Sequence, residues 1–262
     1  MMRFAITGEH RQFFQKQQAL ELEGMCSLAQ LKAINASIDS VIAERIGVRG
    51  RLLDNQSPAS IFAAGRDSWR SNDVIRRFIT QPSLADIAAE LTEKRTLRLG
   101  YDQFFPSPIT SVAIVSGENP YGNFLSRIRS LEEVSSLQGL VCGLMLCLNG
   151  RPKTDEQEQE KEIQEKKTKD KVKESDGTDL VLDPINIFAD HAGDGIFFSG
   201  QTPINWERLL NLPNHRYIMI VFVQNKSVYV FNESDPQGYS LKQWGYTFGD
   251  KLSDKLNPIV RR

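Results

Sequence analysis

The chain has 262 residues, 40% of them hydrophobic and 25% charged, with 32 Lys and Arg against 33 Asp and Glu for a formal net charge of −1. This is an ordinary globular composition, long enough to bury a sizeable core, and it excludes a disordered chain or a small disulfide scaffold. A nearly neutral chain has no long-range field for phosphate backbones or anionic lipid, so neither nucleic acid nor membrane is an expected partner.

The opening MMRFAITGEHRQFFQ turns polar after Ile6 and lacks the apolar stretch of a secretory signal, which points to the cytoplasm. Ser27, followed at its third residue by Gln30, predicts a capped helix from Leu28 to about Arg45, with Leu28, Leu31, Ile34, Ile38 and Ile42 as one apolar stripe. Ser71 is a candidate cap for a short helix carrying Val74, Phe78 and Ile79. Ser83 with Asp86, after the breaker Pro82, predicts another helix with a Leu84, Ile87 and Leu91 stripe.

From Thr96 the pattern changes to alternation and short apolar runs: TLRLGYDQFF, TSVAIVSG, LQGLVCGLMLCLNG, INIFAD, GIFFSG, HRYIMIVFVQ and SVYVFN. The last two are predicted to form a hairpin through Asn225 and Lys226. Gly139 to Leu148 is the most apolar run, but at about half the length of a bilayer-spanning helix it reads as buried core. Cys142 and Cys147 on that strand point to opposite faces. With Cys26 they make a sparse, odd set that fits a reducing compartment. Helices first and strands later indicate an α+β or jelly-roll layout rather than a parallel sheet.

Residues 151–178 carry no aromatic side chain and nearly balanced charge, so they read as a surface insertion, with a partner-binding arm as the alternative. An interdomain linker is the other possibility. The strands that follow have too little apolar surface for an independent sheet, so strands on both sides of the insertion are expected to pair. The expected organisation is one domain over 1–262, with 233–262 as a C-terminal tail.

FAITGEHRQFFQKQQALELEGMCSLAQLKAINASIDSVI, then LRLGYDQFF at 97–105, the apolar strand at 139–148 and AGDGIFFSGQTPIN at 192–205 together resemble phytanoyl-CoA dioxygenase-like proteins. That family belongs to the non-haem Fe(II) and 2-oxoglutarate oxygenases. The resemblance implies a short helix, a strand and a capped helix at the start, then a double-stranded β-helix, cupin-like, with the N-terminal helices packed on its major sheet. It also implies a metal held by a His-x-Asp pair and a distal His. By spacing, the pair falls near Ser126 and Ile128 and the distal histidine near Pro203 or Ile204, none of which is an imidazole. Fe(II) in the family mode is therefore not expected. Arg216 lies about where the family places the arginine that grips 2-oxoglutarate, so it is a candidate anchor for that or another carboxylate, the plainer reading being an ion pair with an acidic neighbour.

His191 and His215 are alternative metal ligands with Asp190 and Asp194 nearby, although turn histidines satisfied by hydrogen bonds are the simpler reading, and His10 belongs to the first helix. Arg98 and Asp102, four apart on one strand, are expected to share a face. Tyr101 lies on the other, and Tyr101 and Asp102 are candidate ligand-binding residues at the barrel mouth. No phosphate-binding glycine loop, zinc spacing or nucleophile elbow is present. The leading expectation is a non-catalytic module that binds a small molecule or a protein. An enzyme with a rebuilt centre comes second, and a metal-responsive DNA-binding regulator is disfavoured by the absence of a basic stripe or helix-turn-helix.

Overall fold

The computed structural model describes residues 5–106, 128–151, 184–212 and 214–262. The strand expected at 110–117, most of the 151–178 insertion, and Ser126 lie outside the described residues.

Thr7 opens α1 (Gly8–Gln17), its side chain capping the His10 amide while the His10 ring accepts from the Thr7 N–H at 3.1 Å. A short strand β1 (Ala19–Leu22) follows, then α2 (Leu28–Ile46) behind the Ser27–Gln30 capping box. This is the helix, strand and capped-helix order that the resemblance implies. Leu31, Ile34, Ile38 and Ile42 are buried, whereas Leu28 is 83% exposed and leaves the stripe, because the chain has only just entered the first turn there. Short helices α3 (Pro58–Ala64), α4 (Asp73–Ile79) and α5 (Pro82–Thr92) complete the layer.

Two predicted caps are displaced. The cap of α4 is Asn72, whose Oδ1 accepts from the amides of Val74 and Ile75, while the Ser71 hydroxyl is taken by Arg45. Val74 is correspondingly exposed and Ile75 buried. At α5, Pro82 opens the helix and needs no donor partner, so Gln81 stands at the cap position without a side-chain bond and Ser83 lies inside the helix.

Five further strands follow: β2 (Leu97–Phe105), β3 (Leu137–Asn149), β4 (Gly195–Ser199), β5 (Arg216–Tyr229) and β6 (Ile259–Arg261). They join β1 in an antiparallel sheet of order β1-β4-β3-β5-β2-β6 that curls into a half-barrel. Strands before and after the insertion pair directly, β3 with β4 and β5. The hairpin at Asn225 and Lys226 does not form. Val223 pairs with Leu140 and Val228 with Gln138, so residues 224–227 drop out of the β3 ladder, with Gln224 still paired to Leu97 of β2, and the chain continues in the same direction. INIFAD contributes only an isolated bridge at Ile185. The segment read as a tail ends in β6 against β2 and buries Asp235, Leu241, Tyr246, Leu252 and Asn257.

The two faces of the sheet bury separate clusters. The outer face, with Leu144, Leu146, Phe197, Ile218, Ile220 and Phe222, packs on the helices. The inner face, with Met145, Phe198, Tyr217, Met219 and Val221, is covered by the segments around Ile187–Ala189, Ile204–Leu212 and Leu241–Leu252. Cys142 falls in the outer cluster and Cys147 in the inner one, as an odd separation requires. Among the described residues no helix is long and apolar enough to cross a membrane.

Candidate functional site

The two segments expected to supply the family's metal ligands do meet. Arg129 and Ile204 form an antiparallel bridge, with the Ile204 amide 3.0 Å from the Arg129 carbonyl, and the Trp206 indole N–H donates to that same carbonyl at 3.0 Å. Ile128 is 54% exposed, and Ile204 is fully buried in the inner apolar cluster. Neither side chain has a lone pair, so these positions do not fit Fe(II) held in the family manner. Beside them a file of rings runs through the interior. Phe62 contacts Phe105 at 5.3 Å, Phe105 stacks on Trp206 at 6.1 Å, Trp206 meets Phe188 edge-on at 6.3 Å, and Phe188 meets Tyr217 at 5.4 Å.

The histidines are engaged with the main chain. His191 Nδ1 lies 3.3 Å from the Arg151 carbonyl, and His215 Nε2 lies 3.1 Å from that of Asp190, with the His215 ring stacked on Tyr217. Asp194 Oδ1 accepts the Gly24 amide at 2.7 Å and ties the turn before β4 to the entry of α2. Among the described residues no three His, Cys, Asp or Glu side chains converge as a metal would require. The thiols are buried, and burial pushes Cys26 and Cys147 up to about 12, so both stay protonated and unreactive at neutral pH.

Arg216 is placed on the outer face, not in the barrel. It pairs with Asp39 of α2 through both terminal nitrogens and lies over the Phe104 ring at 4.8 Å. Its neighbours Tyr217 and Met219 take the inward positions, because alternate residues of β5 face opposite sides. The plainer reading of Arg216, an ion pair with an acidic neighbour, is thus the one this geometry matches.

Arg98 and Asp102 do not share a face, because a bulge at Gly100 shifts the register of β2 against β5 between Leu99 and Tyr101. A Cβ at Gly100 would lie 2.9 Å from Val223 Cγ1, so the crowded bulge is made for glycine. After it, Tyr101 turns inward and Asp102 outward. Arg98 bonds Asn225 and Asp254, each at 2.7 Å. The Asp102 carboxylate accepts the amides of Ser68 and Trp69, at 3.1 and 3.2 Å, and so caps the short turn Ser68–Arg70.

That turn anchors a buried polar cluster which sequence reading missed. Arg66 pairs with Asp235 at 2.7 Å, both side chains at most 5% exposed, and its guanidinium stacks over the Tyr101 ring at 3.7 Å. Asp235 in turn accepts the Ser136 amide at 2.9 Å. Asp67, buried and in the left-handed region at φ 55°, has Arg70 Nε at 3.5 Å. Arg45 donates to the main-chain carbonyls of Ala64, Arg66 and Asp67. Burial, then the neighbouring Asp67, pushes the Asp102 carboxyl up to about 7, and burial raises Asp67 and Tyr101 as well. The only sequence signal was Arg and Asp within GRDSWR, a pattern that ordinarily marks a solvated turn.

A groove of about 510 Å³ opens beside β1, where Lys16, Gln18, Glu21, Asn186, Ile196 and Thr202 contribute to its walls. Ile196 belongs to the inner cluster, so the groove reaches the margin of the barrel interior.

No protein-family model matches the sequence, and no curated protein matches it. Solved structures do resemble it. The non-haem alpha-ketoglutarate-dependent carbocyclase SnoK from nogalamycin biosynthesis superposes with a TM-score of 0.61 at 15% identity, covering 97% of this chain and 96% of its own. The epimerase SnoN of the same type gives 0.58 at 14% identity over 96% and 97%. CT296 from Chlamydia trachomatis gives 0.43 at 15% identity over 86% and 99%. The likeness to SnoK and SnoN shows a shared fold: an α+β half-barrel with N-terminal helices, as in the non-haem Fe and 2-oxoglutarate oxygenases.

Proposed function

We propose that this chain is a non-catalytic binding module on the oxygenase fold, diverged from the phytanoyl-CoA dioxygenase-like branch. The observation that carries the reading is the Arg129–Ile204 bridge, where buried Ile204 and the Phe105–Trp206–Phe188 rings stand in place of a ligating imidazole. Losing even a partner that orients a metal ligand typically costs about 10 to 100-fold in affinity, and here both imidazoles of the triad are missing. SnoK and SnoN are described as alpha-ketoglutarate-dependent enzymes, and the fold they share with this chain supports the ancestry and not the chemistry. The groove beside β1 has the size of a small-molecule pocket and a mixed polar lining, and the module would take its ligand there.

Purified protein incubated with Fe(II) and 2-oxoglutarate under air tests the reading. Bound iron well below one per chain and succinate formation at the blank rate are expected. Chelator-sensitive succinate formation above blank would overturn it and favour an enzyme with a rebuilt centre.

A further inference from the structure

At one end of the barrel interior, three polar atoms on separate segments are buried without a hydrogen-bond partner: Arg66 Nε, Tyr101 Oη and Ser136 Oγ. Their residues are 5%, 3% and 4% exposed, so bulk water does not reach them. Tyr101 Oη interacts with Ser135 and Arg66 but makes a well-formed hydrogen bond with neither. Buried polar groups in native proteins nearly always have partners, and three convergent exceptions in one place call for a physical cause. All three residues line a single small space of about 10 Å³, together with Asp235, Tyr229 and Asp67, whose two carboxyl oxygens also lack a hydrogen-bond partner.

We infer that this space is a binding site for one water molecule, held by Arg66 Nε, Tyr101 Oη and Ser136 Oγ. Size is the first argument, because the space is about that of one probe sphere, roughly the 10–15 Å³ a single water needs. Polarity is the second. An empty cavity persists where its lining is apolar, whereas this one offers a guanidinium N–H and two hydroxyls, within the two to four partners a buried water typically has. Charge is the third argument. The carboxylates of Asp67 and Asp235 on the wall repel an anion, and the Arg66 guanidinium repels a cation, so a neutral dipole that both donates and accepts is the species that fits.

The site explains how the Gly100 bulge is accommodated. By turning Tyr101 inward, the bulge brings a phenol into the interior, where Ser135 and Arg66 lie near its hydroxyl without making a well-formed hydrogen bond to it. The water supplies one. It would join β2 through Tyr101, the start of β3 through Ser136, and the Gly65–Ser71 turn through Arg66. Asp235 already bridges the last two, through the Arg66 guanidinium and the Ser136 amide.

A crystal structure at a resolution that shows ordered water, paired with oxygen-17 water relaxation dispersion in solution, tests the site. The expected results are one density peak within hydrogen-bond distance of all three atoms, and a count of long-lived internal waters that falls by one in Ser136→Val, whose methyl groups take up the space. Ser136→Ala, which removes one hydrogen bond and adds no bulk, should keep the water with a shorter residence time if the valine variant fails to fold. An empty space in the wild-type density would overturn the inference. So would direct Tyr101–Ser136 or Tyr101–Arg66 hydrogen bonds closing the space, an ion in place of water, a water count unchanged by Ser136→Val, or a residence time unchanged by Ser136→Ala.

Discussion

Asp102→Asn should change how stability depends on pH more than it changes stability itself. The Asp102 carboxyl is fully buried, and its folded-state value rises from an ordinary 3.8 to about 7, because burial and then Asp67 disfavour its charge. Below pH 3.8 it is neutral whether the chain is folded or not and has no effect on the balance. As pH rises toward 7 the unfolded chain releases this proton while the folded chain holds it, so unfolding is progressively favoured. Above 7 both states are ionised and the loss is complete. A gap from 3.8 to about 7 corresponds to about 4 kcal/mol of stability lost across that window. Asparagine cannot ionise, so the variant lacks this slope. It also keeps only one acceptor for the Ser68 and Trp69 amides, which costs about 1 kcal/mol at every pH. Urea unfolding of both proteins from pH 5 to 8 reads the term together with its coupling to Asp67, since the remaining titrating groups are common to the two. The variant should lie within about 1 kcal/mol of wild type at pH 5 and be more stable by about 3 kcal/mol at pH 8. Parallel curves across the range would refute the reasoning.

Three further substitutions probe the fold. Arg216→Ala should cost no more than about 1 kcal/mol in chemical denaturation, since the Asp39 pair is partly exposed. It should also leave binding of 2-oxoglutarate, measured by calorimetry, as it is in the wild type. Gly193→Ala should destabilise by about 1–3 kcal/mol, because φ is +93° and an added Cβ would sit 2.8 Å from the Cys26 carbonyl oxygen; a melting temperature unchanged from wild type would count against that. Trp206→Ala should cost about 3–5 kcal/mol by opening a void between Phe105 and Phe188, read as a lower urea midpoint.

Local signals in the sequence were reliable where chemistry and position coincide, and poor where one residue of offset matters. The Ser27–Gln30 box predicts α2 because both partners must lie at that spacing to reach each other's amides. Ser71 and Asn72 are equally good caps on paper, and the choice between them was made by Arg45, contributed from α2. Asp102 was assigned to the wrong face because strict alternation assumes no bulge. Gly100 within an otherwise apolar strand was the available warning. Asn225-Lys226 lacks the glycine that a two-residue hairpin turn favours, which was the corresponding signal that β5 runs on. The Arg66–Asp235 pair was invisible for a different reason: 169 residues separate its members, and charged side chains are by default assigned to solvent.

The same parity that moves Arg216 outward decides what the barrel interior can accept. At that level of β5 the inward position belongs to Tyr217, whose hydroxyl donates to the Ala189 carbonyl at 2.8 Å while its ring packs on Phe188. The interior there is neutral and filled, and the Ile204 bridge continues the same wall. Charge is concentrated at Arg66 and Asp235 beside the neutral Tyr101 phenol, and Asp235 rather than a ligand answers the guanidinium. A carboxylate entering at the expected metal level would have to displace the Phe105–Trp206–Phe188 rings and would not meet Arg216, which pairs with Asp39 on the outer face. Entry at the charged end would require it to compete with a buried carboxylate already paired at 2.7 Å. Both routes are unfavourable, which is why the proposed ligand is assigned to a surface groove such as the one beside β1, where nothing in the interior need unpack.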